Sequence, residues 1–235
     1  MEVLLIILVV GIVATGLVLA HLHEKKRTTA LKGFAEARGL RFSPQVDRSA
    51  DERFARFAMF RRGHSRRAWN IATGEVQVGD HRSHVETGDF LYKVTSGSGK
   101  HRSTKTYRFS YLVLTNPIGR CPETIVRREG FFDRVKGVLG FDDIDFESVE
   151  FSRTFHVSSD DKRFAYDLID QRMMEFLLAD PPPAIEFDDD LICVSDGANR
   201  WQPERFDRMI DWTGALLERW PKHLQASLST TEDRS

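Results

Sequence analysis

Residues 3–20 read VLLIILVVGIVATGLVLA, an unbroken uncharged run in which Thr15 alone is outright polar. Extended through His21 and Leu22, a helix rising about 1.5 Å per residue spans about 30 Å, the depth of one hydrocarbon core. Buried helices of soluble domains rarely carry so long a stretch. A cleaved signal peptide needs a positive leader and a small-residue cleavage site. Only Met1 and Glu2 precede the run, and Val18-Leu19-Ala20 leads into no clear mature start. Residues 1–22 are therefore expected to be a transmembrane anchor.

The flanks set its orientation. Lys25, Lys26, Arg27 and Lys32 follow the span, and no Lys or Arg precedes it. The positive-inside rule then predicts a single-pass membrane protein with its C-terminal domain in the cytoplasm. Those four residues are the expected membrane-surface contacts, each worth about 1 kcal/mol against anionic headgroups. The bilayer is thus the first partner, with anionic lipids and an unidentified protein as further candidates. Gly11 with Thr15, and Gly16 with Ala20, are small residues four apart, a spacing that lets spans approach but also arises by chance.

About 200 of the 235 residues remain for a folded body. The net charge of −1 hides an asymmetry. Residues 21–130 hold 22 Lys+Arg against 11 Asp+Glu, and residues 131–235 hold 12 against 23. Either the basic half faces lipid phosphates, or the halves pack together and neutralise each other. No nucleic-acid recognition motif accompanies the basic half, so no nucleic-acid partner is expected. Cys121 and Cys193 fit no metal spacing and suit a reducing compartment.

Periodicity predicts a juxtamembrane helix over 23–39, stopped by Gly39, and a helix over 51–60. A basic β-rich subdomain over 40–117 follows, with a strand–Gly74–strand pattern and a long-tipped hairpin around SGSGKHRSTK. Pro117 to Pro122 marks the seam to an acidic α+β subdomain over 118–222. There a short helix over 131–141 and a strand carrying Val149, Phe151, Phe155 and Val157 are expected. A helix capped at Ser158, two strands around Asp188-Asp189-Asp190 and a last helix from Pro203 complete it. Residues 223–235 are expected to be a disordered tail. The fold class is α+β: the N-terminal transmembrane helix, then antiparallel sheet with helices packed on one face.

Catalytic patterns are incomplete. Gly97-Ser98-Gly99-Lys100 lacks the first glycine and final hydroxyl of a phosphate loop. Ser159-Asp160-Asp161-Lys162 has no K-T-G partner, and capping accounts for its serine. His81 and His84 stand three apart in a strand pattern, which points them to opposite faces. No catalytic, cofactor-binding or metal-ligating residues are assigned, and no cofactor is expected.

The segment FESVEFSRTFHVSSDDKRFAYDLIDQRMMEFLLA, with AEARGLRFSP and FRRGHSRRAWNIATGEV before it, resembles a family of bacterial membrane-anchored proteins classed as a domain of unknown function. The likeness covers most of residues 30–221. It implies a bacterial membrane address and no established activity; many relatives have two spans where this chain has one. The function expected is a membrane-tethered, non-enzymatic interaction or scaffold module at the inner membrane. One alternative is an inner-leaflet lipid-binding module using Lys25, Lys26 and Arg27, the Arg61–Arg67 loop and the 131–141 helix. The other is a membrane-surface enzyme, in which His81, His84 and Arg153 would have to share a cleft.

Overall fold

The computed structural model describes residues 2–128, 143–182, 184–195, 197 and 199–232. The helix expected over 131–141 lies outside them.

Helix α1 (Glu2–Ala37) is unbroken over 36 residues, about 54 Å of helix. It is long and apolar enough to cross a membrane. Its large apolar side chains from Leu5 to Leu22 stay exposed, whereas Leu31, Phe34 and Ala35 are buried. One helix thus changes environment part-way along, and the expected juxtamembrane helix is its continuation. Gly39 ends it in the left-handed region (φ +68°), and the Leu40 N–H reaches back to the Ala35 carbonyl at 2.8 Å.

Among the described residues, eight strands form one sheet: β1 (Arg41–Ser43), β2 (His64–Val78), β3 (His81–Ser96), β4 (Ser103–Thr115), β5 (Cys121–Arg128), β6 (Phe155–Ser159), β7 (Ala184–Asp189) and β8 (Leu191–Ser195). Their order is β1-β2-β3-β4-β8-β7-β5-β6, and every neighbouring pair is antiparallel. The sheet crosses the seam expected at Pro117 to Pro122, because β4 pairs with β8 from Tyr111↔Ser195 to Thr115↔Leu191.

The remaining helices are α2 (Ala50–Arg53), α3 (Val149–Thr154), α4 (Lys162–Leu168), α5 (Gln171–Ala179), α6 (Pro203–Glu218) and α7 (Lys222–Glu232). On one face, α1, α4, α5 and α6 pack over Ala72, Val85, Leu112, Val126, Ile185 and Val194. Phe34 of α1 meets Phe206 of α6 at 5.5 Å between ring centres. On the other face, α2 and the turns after it bury Phe54, Phe57 and Phe60 against Phe90, Phe109 and Tyr111. The α+β class with an N-terminal apolar helix therefore holds, with most helices on one face.

Several local expectations need correction. Gly74 is not a turn: β2 runs through it, Leu40 packs on its bare Cα, and the chain reverses at Gly79. The helix expected over 51–60 is one turn of α2 followed by turns. Val149 and Phe151 belong to α3, because the Ser148 hydroxyl accepts the Phe151 N–H at 3.2 Å and starts a helix. Ser158 lies in β6, and the α4 cap is Asp161, accepting from the Phe164 N–H at 3.1 Å. Where a disordered tail is expected, α7 continues to Glu232, with Leu224 buried.

The charge asymmetry is partly settled by pairing across the halves. Arg38 holds Asp207 and Asp211, Arg56 holds Asp190, and Arg120 holds Asp189. Each is partly exposed, so each contributes at most about 1 kcal/mol.

Candidate functional site

The site begins with a pair of charges 62 residues apart. On α1, Arg27 lies four residues before Leu31 and seven before Phe34, so it shares their inward face. On β3, Asp89 alternates in register with Val85 and Leu91 and points to the same side. The two meet as a fork: Arg27 Nε donates to Asp89 Oδ2 at 2.8 Å, and Nη2 to Oδ1 at 2.6 Å. Asp89 is fully buried and Arg27 nearly so.

The strands complete the carboxylate's partners. Asn70 Nδ2 donates to Oδ2 at 3.2 Å, and Ser110 Oγ to Oδ1 at 2.7 Å. Asn70 reaches it from a β-bulge between Trp69 and Ala72, in the left-handed region (φ +52°) that asparagine tolerates better than most residues. Thr28 Oγ1 binds Asn70 Oδ1 at 3.0 Å, and the Trp201 N–H donates to Ser110 Oγ at 2.9 Å. A buried charge pair is tolerated when its lone pairs are satisfied in this way. This network fixes the last turns of α1 to the centre of the sheet.

One turn up the helix, α1 parts from the sheet and a groove opens, with a volume of about 1050 Å³. Leu19, Ala20, His23 and Glu24 form its helical wall; Trp69, Leu91 and the arginines 67, 108 and 200 form much of the rest. Arg67 pairs across to Leu91, and Leu91 to Arg108, so the three stand in one row over β2, β3 and β4. Arg200 is tied to Glu24 at 2.6 Å. Neither Arg67 nor Arg108 has a carboxylate partner among the described residues. That sets them apart from Arg53, bound to Glu86 and Asp47, and Arg66, bound to Asp51 at 2.6 Å.

Not every hollow is suited to a ligand. One of about 210 Å³ on the opposite face contains Arg53, Glu86 and His84, but its charges satisfy each other. Glu86 also accepts from the Tyr111 hydroxyl at 2.8 Å, and burial raises that phenol's pKa well above its usual value. Cys121 and Cys193 are free and buried; burial pushes Cys121 up to about 12, so its thiol stays protonated.

Of the expected surface contacts, Lys25, Lys26 and Lys32 are exposed on α1, and Lys32 lies 3.6 Å from Glu36. Arg27 is the correction: it does not face outward but is consumed by Asp89. His81 and His84 take opposite faces of β3, and His84 rests 3.2 Å from Glu75. Arg153 is exposed on α3, beside the edge strand β6 and five strand positions from β3, about 24 Å away. The three do not converge. Of the Arg61–Arg67 loop, only Arg67 reaches the groove; Arg62 lies over the Tyr92 ring. Sequence reasoning missed Asp89, Asn70, Ser110, Arg108 and Arg200. The only available signal was a charge in an apolar register, at Arg27 and at Asp89.

No family model and no curated protein matches the sequence. Among solved structures, the fold is similar to the crystal structure of the mycobacterial trehalose monomycolate transport factor A, TtfA, with a TM-score of 0.55. The match is 14% identical and covers 83% of this chain and 96% of that one. At that identity the likeness establishes a shared fold.

Proposed function

We propose that this protein is a membrane-tethered, non-enzymatic module of the bacterial inner membrane, holding its folded domain at the cytoplasmic leaflet as a scaffold in the handling of envelope lipids. The observation that carries this is the continuity of α1. The same helix that presents exposed apolar side chains from Leu5 to Leu22 is locked into the sheet at Arg27 and Asp89. A domain on a flexible linker would sample many orientations; this one is held in one. The cytoplasmic side is supported by Lys25, Lys26 and Lys32, which remain exposed just past the span. The bacterial address is supported by the similar fold of a mycobacterial protein. The lipid role is supported by the similar fold of a protein named as a transport factor for trehalose monomycolate.

Depletion in the host, complemented by full-length protein or by a form lacking residues 1–22, tests the proposal. Full-length protein alone should restore the lipid composition of the envelope. Restoration by the untethered form, or an envelope unchanged by depletion, would overturn it.

A further inference from the structure

We propose that the groove beside α1 is a binding site for one anionic phospholipid of the cytoplasmic leaflet, its phosphate held between Arg67 and Arg108. This rests on the membrane-tethered reading and names the ligand that such a domain would hold.

Depth is the first support. The groove's helical wall is the turn from Leu19 to Glu24, where the apolar run gives way to polar sequence. A helix spanning the bilayer to Leu22 places that wall at the headgroup layer. A lipid would enter sideways from the leaflet, without leaving the membrane.

Charge is the second. The groove brings three arginines against one carboxylate, and Arg200 already neutralises that carboxylate. Arg67 and Arg108 flank Leu91 on adjacent strands, two strand spacings or about 10 Å apart at their backbones. Long guanidinium stems from both sides reach a single phosphate between them, and their planar forks suit its oxygens. Without an anion between them, the two neighbouring cations repel each other. Arg66, next to Arg67 in sequence, has its carboxylate in Asp51, whereas among the described residues none answers Arg67 or Arg108, and a lipid phosphate would.

Apolar surface is the third. Leu19 and Ala20 on one wall and Leu91 and Trp69 on the floor give the lipid's glycerol and upper acyl carbons a non-polar bed. A half-buried tryptophan at this depth is where interfacial aromatic residues concentrate. A soluble phosphate would use the arginines and leave this bed uncovered.

The test uses the full chain in bilayers of phosphatidylglycerol and phosphatidylcholine, extracted gently for native mass spectrometry. One phosphatidylglycerol per chain should be retained. The pair Arg67→Gln and Arg108→Gln should lower that occupancy by about tenfold. The pair Lys25→Gln and Lys26→Gln removes equal charge from the same membrane surface and should leave it unchanged. Circular dichroism checks that both variants fold. Equal retention in the arginine variant, equal loss in the lysine variant, or phosphatidylcholine held as well as phosphatidylglycerol would each overturn the site. Alkaline carbonate separates the two levels. A chain it strips from the membrane refutes the tether, while an embedded chain without bound lipid refutes the groove alone.

Discussion

Asp89 accepts four hydrogen bonds from three side chains while fully buried. Removing it leaves the Arg27 guanidinium buried without its counter-charge. Asp89→Ala should cost about 3–5 kcal/mol, read as a fall in the thermal midpoint. Adding Arg27→Met should recover much of that loss, because the stranded charge goes with it; a double variant no better than the single would contradict this. Glu186 is a second buried carboxyl, on β7, accepting the Ala58 N–H at 2.7 Å. Burial pushes its pKa from 4.5 up to about 7. The folded state then keeps a proton that the unfolded chain loses, so this contribution is complete below pH 4.5 and fades as pH rises through 7. Its size is on the order of 3 kcal/mol. Glu186→Gln keeps the acceptor and should flatten that slope in unfolding measured from pH 5 to 8; an unchanged slope would assign it to other groups. Arg27 was misread in the sequence because Lys25 and Lys26 beside it are exposed. Its spacing from Leu31 and Phe34 already placed it on the inward face.

Between elements, α6 comes into close backbone contact with the β2–β3 turn. A Cβ at Gly214 would lie 2.4 Å from the Gly79 nitrogen, which is backbone and cannot rotate away. Gly214→Ala gains up to about 1 kcal/mol of helix propensity, yet the overlap costs about 1–3 and should win. Gly33 on α1 supplies the contrast, since nothing lies within 4 Å of its added Cβ. Gly33→Ala should raise the thermal midpoint where Gly214→Ala lowers it; the same sign for both would refute the packing described. Elements with sustained alternation were legible, as in β3 and β4, and so was α6 with its Pro203 start. Short ones were not. Val149, Phe151 and Phe155 fit a strand as well as a helix, and the Ser148 cap decides between them. In α7 the largely polar sequence conceals the buried Leu224.

For the whole molecule, the α+β class and the apolar helix followed from hydrophobic pattern, because burial imposes that pattern along the chain. The joining of β4 to β8 did not, since pairing between distant strands leaves no local trace. The groove was hidden for the same reason: Leu19, Arg67, Arg108 and Arg200 meet only in space. The account depends on α1 and the sheet forming one rigid body at the membrane. Nitroxide labels at Val18→Cys on α1 and Gln77→Cys on β2, both exposed, allow their separation to be measured by double electron–electron resonance in nanodiscs. Cys121 and Cys193 are buried and remain unlabelled. One narrow distance distribution, broadened by Asp89→Ala, is the expected result; a broad distribution in the unaltered chain would mean the domain swings freely beneath its anchor.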